Sequence, residues 1–193
     1  MVSEWPGYMQ SGLAGELYGR SRHWPVLYCA LAPRMKRSTP VIIREATPED
    51  VATARRLFRE YATWLGIDLS FQSFEQELAG LPQPYVRPDG FLLLAESGET
   101  VVGCVAARRL GEGVAEAKRL YVIPEYRACG IGRQLMEQLL RETQKIGYRA
   151  VRLDTLPQMQ AARTLYEALG FIRIAAYYHN PVAGTVYMER SLV

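Results

Sequence analysis

The sequence predicts a mixed α/β fold of the α+β kind: one twisted, mostly antiparallel sheet of about six to seven strands, one pair of them parallel, flanked by about four helices. Three observations carry this. Phe91–Ala95 is an unbroken apolar run, and Ser97-Gly98-Glu99 turns it into a second strand-like run, Thr100–Arg108. Val114–Val122, the amphipathic stretch Ile131–Ile146 and Ala150–Asp154 read as strand, crossover helix and strand, so the two strands should lie parallel. Finally, Val51–Leu65 and Ile131–Ile146 place apolar residues at helical spacing, and a glycine closes each.

Taken in order, Val41–Arg44 is a short first strand. Thr47-Pro48-Glu49-Asp50 starts a helix, with Thr at the cap, Pro in the first turn and acids beside it. Val51, Ala54, Leu57, Phe58, Tyr61, Ala62 and Leu65 form its apolar face, and Gly66 stops it. Ser73-Phe74-Glu75-Gln76 reads as a capping box opening a short helix over Phe74–Ala79. Leu81–Asp89, with three prolines, is a loop. Gly111 and Gly113 turn the hairpin into Val114–Val122. Ile131, Leu135, Met136, Leu139 and Leu140 line one face of the next helix, ended by Gly147. Gln158–Leu169 is the last helix, stopped by Gly170. Phe171–Ala176 and Val186–Arg190 form a closing pair joined by the long loop Tyr177–Thr185.

A chain of 193 residues, 49% hydrophobic and 22% charged, suits one domain with a sizeable core. Residues 1–40 read as an irregular N-terminal extension and 41–193 as the folded domain. The extension holds Trp5, Tyr8, Tyr18, Trp24 and Tyr28 among glycines and prolines, with no sustained period. The whole net charge of +3 sits in residues 1–39, five basic side chains against two acidic; the remainder carries eighteen of each. No broad basic face for nucleic acid is implied. Trp24–Ala32 faintly resembles the apolar core of a secretory leader, but it is short, contains Pro25 and follows acidic residues, so secretion is not expected. Met35, followed by Lys36 and Arg37, is an alternative start. Three cysteines, Cys29, Cys104 and Cys129, suit a reducing, cytoplasmic setting better than a disulfide framework. With two histidines a His-based metal site is not expected, and no apolar run is long enough to span a membrane.

The chain is organised around Leu120–Arg133, LYVIPEYRACGIGR. It reads as a strand end, a turn at Pro124 and a glycine-punctuated loop opening a helix. Amides at a helix start have no intrahelical acceptor, and the helix dipole adds partial positive charge. Gly130 and Gly132 let that backbone approach a bulky anion, and Arg127 can reach a phosphate oxygen. The physical reading is a pyrophosphate seat; the plain alternative is a tight turn with an exposed arginine. Two common phosphate loops do not fit. A P-loop needs Lys and Ser/Thr where Arg133 and Gln134 stand. A dinucleotide fingerprint needs a third glycine where Glu116 or Leu135 stands.

LYVIPEYRACGIG, an amphipathic helix, a strand and then LYEALGF resemble the GNAT superfamily of acetyl-CoA-dependent N-acetyltransferases, over roughly Val41–Leu192. The resemblance implies a GNAT-like sheet whose parallel pair is splayed, and acetyl transfer from acetyl-CoA to an amine of a small molecule or a protein. It places the coenzyme on Leu120, Tyr121, Val122, Arg127, Ala128, Cys129, Gly130, Ile131, Gly132 and Arg133, with the Leu120 N–H facing the thioester oxygen. Cys129 there is a small filler or a reactive thiol. Tyr166, in the L-Y-x-x-x-G-F phrase, is the implied general acid; its plain alternative is a core tyrosine. Glu116 stands eleven residues before Arg127, where the histone-acetyltransferase branch carries a glutamate base. The alternative is an ion pair with Lys118 or Arg108, with a water chain as the base, as many members of the superfamily use. Met159 stands where many members carry an asparagine. The amine acceptor is expected between the first helices and the final loop, beside Tyr61, Asp68, Phe71, Tyr177, Tyr178 and Asn180, with Asp68 meeting an ammonium. Each could equally be a packing or solvated residue. The rival function is a non-catalytic coenzyme A sensor on the same fold. Oligomeric state stays open, a homodimer included.

Overall fold

The computed structural model describes residues 40–193. The expectations for residues 1–39, including the extension, the leader-like run and a start at Met35, lie outside the described residues.

β1 (Val41–Glu45) leads into α1 (Val51–Leu65). The helix entry follows from its residues. The Asp50 carboxylate accepts the Thr47 amide at 2.8 Å, and Arg44 on β1 holds the same carboxylate at 2.6 and 2.9 Å. Gly66 ends α1 at φ +69°, a left-handed turn that costs glycine nothing. α2 (Phe74–Gly80) forms where expected, but not through the expected cap. Ser73 has φ +56°, and its side chain caps nothing. Its amide instead closes a tight turn onto the Ser70 carbonyl at 2.8 Å, and its carbonyl accepts Glu77 at 3.0 Å.

β2 (Phe91–Ser97) and β3 (Thr100–Gly111) form the hairpin, and β4 (Val114–Val122) continues it antiparallel. β2 is apolar at successive positions because both faces of the sheet are covered. Phe91, Leu93 and Ala95 pack with Leu135 and Leu139 of α3 (Ile131–Ile146), while Leu92 and Leu94 pack with Leu57, Phe58 and Leu78. Successive strand side chains point to opposite faces, so one run serves two cores. β5 (Ala150–Thr155), α4 (Gln160–Ala168), β6 (Ile172–Ile174) and β7 (Val186–Ser191) complete the chain. α4 and β6 are shorter than expected. Leu156–Met159 closes its own turn first, with the Met159 amide on the Leu156 carbonyl at 3.0 Å.

The described strands form one sheet in the order β1-β2-β3-β4-β5-β7-β6. β7 lies between β5 and β6, antiparallel to both. β4 and β5 are parallel, but paired only at Val114–Ala150, Ala115–Val151 and Glu116–Arg152. Beyond Glu116 β4 stays with β3, and β5 stays with β7 as far as Thr155. The sheet therefore parts into a wedge in its middle. A bulge adds to this: Lys118 and Tyr121 pair with Ala106 and Cys104, which leaves Arg119, at φ +59°, and Leu120 out of register with β3. No helix among the described residues is long and apolar enough to cross a membrane.

Candidate active site

The loop between β4 and α3 crowns the wedge. Ala128 and Gly130 both turn left-handed, at φ +59° and +80°. Among the described residues, the amides of Ala128, Cys129, Gly130, Ile131, Gly132 and Arg133 donate to no backbone carbonyl; the next amide, of Gln134, returns to the Gly130 carbonyl at 3.1 Å. They are the unsatisfied first-turn donors of a sixteen-residue helix. Ile131 anchors the loop by burying its side chain, while Cys129 is an exposed free thiol and Arg133 an exposed cation 3.4 Å from Glu137.

Arg127 is placed differently from the expectation of a phosphate clamp. Its Nε donates to the Val122 carbonyl at 2.9 Å, and its guanidinium lies over Trp64 at 4.3 Å and Tyr121 at 5.5 Å. Its Nη2 is buried without an acceptor among the described residues. The Val122 carbonyl is thus engaged by Arg127 rather than held free. Tyr121 is buried and packs against Tyr61, Trp64 and Arg127.

Inside the wedge lies a small cavity lined by Leu120, Lys118, Arg119, Asp154, Tyr61 and Tyr166, among others. α4 brings Tyr166 there, 6% exposed and packed on Phe171. Its hydroxyl has no hydrogen-bond partner among the described residues. Burial pushes its pKa up, and the charges of Tyr61 and Asp154 add to the effect. Tyr61 on α1 is a second hydroxyl at the cavity, pushed up to about 12, chiefly by burial. Both keep their protons at neutral pH and can act as donors.

Glu116 is 1% exposed and fully engaged. Arg108 holds one oxygen through Nε at 2.8 Å and Nη2 at 2.7 Å. The other oxygen accepts the Tyr177 hydroxyl at 2.9 Å and has the Lys118 ammonium 3.3 Å away. It lies on the paired part of β4, below the point where the strands part.

Lys118 also meets Asp154 at 3.0 Å. Asp154 sits near the end of β5, with a side chain 9% exposed, and accepts the Asn180 amide at 3.3 Å. Gln72 ties the other side in, donating to the Tyr178 hydroxyl at 3.3 Å and accepting from Arg119 at 3.2 Å. Arg119 forms a buried ion pair with Glu77, which also accepts the Tyr85 hydroxyl at 2.6 Å. A polar network therefore runs from the α1–α2 connection, across β4 and β5, to the β6–β7 loop.

Of the residues expected around an acceptor, Tyr61, Phe71 and Asn180 line a second small cavity adjoining the first, and Tyr178 bonds to Asn180 at 3.3 Å. Asp68 is outside it. Both its oxygens are taken locally, by the Ser70 amide and hydroxyl at 2.8 Å each, which holds its pKa below the ordinary carboxylate value. The carboxylate that does reach the cavities, Asp154, escapes a reading of the sequence because nothing local marks a strand-end Asp. Its placement depends on where β5 leaves β4. Trp64 and Gln72 were missed for the same reason.

Among the described residues, the site is thus a mixed sheet parted between two parallel strands, with loop amides that donate to no backbone carbonyl above the gap and a tyrosine hydroxyl within it. Comparison with known proteins gives its class. The model of the GNAT acetyltransferase family matches residues 51–171, well over half the chain. The chain belongs to the GNAT family of acetyltransferases and is an N-acetyltransferase of that family. It is 38% identical to an uncharacterized N-acetyltransferase of Schizosaccharomyces pombe over 157 residues, covering 80% of this chain and 96% of the relative. An IAA acetyltransferase of Azospirillum brasilense is 32% identical over 153 residues, 78% of this chain and 97% of that one. The PaiA N-acetyltransferase of Thermoplasma acidophilum, solved with coenzyme A, shares the fold at a TM-score of 0.62 with 24% identity, covering 79% of this chain and 99% of the other.

Proposed function

We propose that the chain transfers an acetyl group directly from acetyl-CoA to an amine held in the cavity beneath Asp154, with the loop amides and Tyr166 as the working groups. The observation that carries this is the set of amides from Ala128 to Arg133, which donate to no described carbonyl beside a parted pair of strands. Such a cradle fits a pyrophosphate. Bound there, acetyl-CoA supplies an activated thioester. The edge of β4 at Leu120 is the surface for its pantetheine arm, joined by the Val122 carbonyl only if Arg127 releases it, and the Leu120 N–H is the donor for the carbonyl oxygen as charge develops. Arg127 meets the phosphates if its guanidinium leaves Trp64.

Tyr166 is the donor to the departing thiolate. Because its pKa is raised above that of an ordinary thiol, complete proton transfer is uphill, and its first contribution is a hydrogen bond to the developing negative charge. For Glu116 the geometry supports the ion-pair alternative over the base. A carboxylate with a two-pronged guanidinium, an ammonium and a phenol around it has no open face for an incoming proton. Glu116 instead positions Tyr177 and Lys118, and water at the cavity mouth takes the proton of the amine. Free thiols at Cys104 and Cys129 support a reducing compartment such as the cytoplasm.

Calorimetry with acetyl-CoA, coenzyme A and ATP, paired with an assay of thiol release on addition of amines, tests the reading. Acetyl-CoA and coenzyme A should bind, and amines should accelerate thiol release. Tight ATP binding without coenzyme A binding, or coenzyme A binding without any amine-dependent release, would overturn it.

A further inference from the structure

Within the described strands, Arg119 is the one residue other than glycine that turns left-handed, at φ +59°. An arginine gains nothing from that conformation, and it persists only where the surroundings fix it. Here they fix it from three sides. The buried guanidinium forms a two-pronged pair with Glu77 of α2, its Nε 2.9 Å from one carboxylate oxygen and its Nη2 on the other. Its Nη1 donates to the Gln72 side chain at 3.2 Å, and the Phe74 ring lies 5.1 Å from its central carbon. The Arg119 carbonyl accepts the fully buried Cys104 thiol at 3.4 Å. Burial pushes that thiol up to about 12, so it keeps its proton to donate. Glu77 and Gln72 are held in turn, by the Tyr85 hydroxyl at 2.6 Å and the Tyr178 hydroxyl at 3.3 Å.

That lock sets the direction of the next amide. The C=O and N–H of one trans peptide point opposite ways. The Arg119 carbonyl faces Cys104, which belongs to the apolar core beneath α1 and α2, so the Leu120 N–H points away from it. Leu120 itself packs against the core on the α3 side and lines the cavity with Tyr166. Lys118 and Tyr121, on either side, keep their register with β3. A turn of Arg119 to ordinary strand geometry would therefore rotate this one peptide and swing its N–H out of the cavity. An ion pair that only fastened α2 to the sheet would need no strained backbone under it.

We infer that Glu77 is a positioning residue for acetyl transfer: through its grip on the Arg119 side chain it holds Arg119 left-handed, and the Arg119 backbone aims the Leu120 N–H at the thioester oxygen of acetyl-CoA. Glu77 is not among the residues lining the cavity, so it acts through Arg119 alone. As the amine lone pair forms the C–N bond, the carbonyl π electrons move onto oxygen, where the aimed N–H meets them. They return as the C–S bond breaks and the thiolate leaves as the coenzyme, the amine proton going to water. A donor already aimed costs no reorganisation at that moment. This inference rests on the acetyl-transfer reading and names what controls its carbonyl donor.

The test reads the carbonyl stretch of acetyl-CoA, isotopically labelled at the carbonyl carbon, by difference infrared spectroscopy on the full-length protein. It needs no amine. Bound to the parent, the stretch should lie at lower frequency than in buffer, because a hydrogen bond at oxygen weakens the C=O bond. Arg119→Ala and Arg119→Gly are then compared, each combined with Glu77→Gln so that no buried charge is left unpaired. Both lack the guanidinium, but only glycine adopts positive φ without strain. The glycine pair should keep much of the downshift and the alanine pair should lose it. With the amine that the parent turns over fastest, kcat should be roughly tenfold lower in the alanine pair than in the glycine pair. Both readouts come from folded protein with its coenzyme bound, so a loss of stability alone moves neither. Equal shifts in the two pairs overturn the inference, as does a parent without any downshift. If the alanine pair does not fold, Glu77→Gln alone decides: part of the downshift should go, and a full downshift overturns the inference. Failure of the parent to bind acetyl-CoA in calorimetry is a different result, which overturns the acetyl-transfer reading itself.

Discussion

In the proposed reaction Tyr166 and Gly130 carry the chemistry most directly. The Tyr166 hydroxyl is protonated and has no hydrogen-bond partner among the described residues, on a buried side chain that lines the cavity, so its removal should affect turnover and not binding. Tyr166→Phe is expected to lower kcat roughly 10²-fold or more, with acetyl-CoA affinity by calorimetry within about twofold of the parent. Gly130 holds φ +80° at the first turn of α3, and nothing lies where a Cβ would stand. Backbone strain alone therefore decides the effect of Gly130→Ala. About 1–2 kcal/mol of left-handed strain on the loop should raise the KM for acetyl-CoA roughly tenfold and leave kcat nearly unchanged in steady-state assays. At this scale the sequence was legible where a residue acts through its own backbone, as at Gly130, and where a side chain faces the cavity without a described partner, as at Tyr166. Side chains that act through partners were not legible. Asp68 offered the same carboxylate as Asp154 and stood in a likelier place for an acceptor, yet Ser70, two residues on, takes both its oxygens.

The polar floor of the wedge is held by paired elements, and the Arg119–Glu77 pair joins α2 to the bulge of β4. Both side chains are nearly buried, 3% and 8% exposed. Burial alone would raise the Glu77 pKa, but the hydrogen bonds and charge of Arg119 outweigh it, and the carboxyl ends below its ordinary value. Glu77→Ala leaves a guanidinium buried without its counter-charge and should cost about 3–5 kcal/mol in urea unfolding. The pH dependence follows from the lowered value. Glu77 contributes fully above its unfolded pKa of about 4.3 and progressively less as pH falls toward and through the folded one, because protonation removes the pair. Urea midpoints of the parent should therefore drop below about pH 4, and Glu77→Gln should show a shallower drop over the same range. Element boundaries were readable where one face repeats, as in α3, or where turn residues flank the run, as Gly113 and Pro124 do for β4. Ser73 shows the limit of such reading. Ser-x-x-Gln spells a cap, but the turn at Ser70 had already fixed Ser73 in a left-handed conformation that cannot use it.

Across the whole sheet, the site exists because β4 and β5 share three registered positions and then separate. The parallel pair was legible from the crossover helix between its strands. The order of the last two strands was not, since local pattern says that β6 and β7 pair but not which of them reaches β5. β7 does, with six registered positions from Ala150–Ser191 to Thr155–Val186, and β6 is left on the edge. A chain cut after Thr185 would leave β5 with β4 alone as a partner and only as far as Arg152, with an open row of amides and carbonyls. Such a chain should bind no acetyl-CoA by calorimetry and should be cleaved by protease far faster than the parent. The same threading has a bearing on biosynthesis. While the ribosome is still making β6, one flank of the growing sheet has a vacant lane that only the segment around Val186–Ser191 can fill. The nascent polypeptide is therefore incomplete at its catalytic wall until that segment emerges, and it is in this interval that chaperone capture or misassociation with a neighbouring chain competes most strongly with folding.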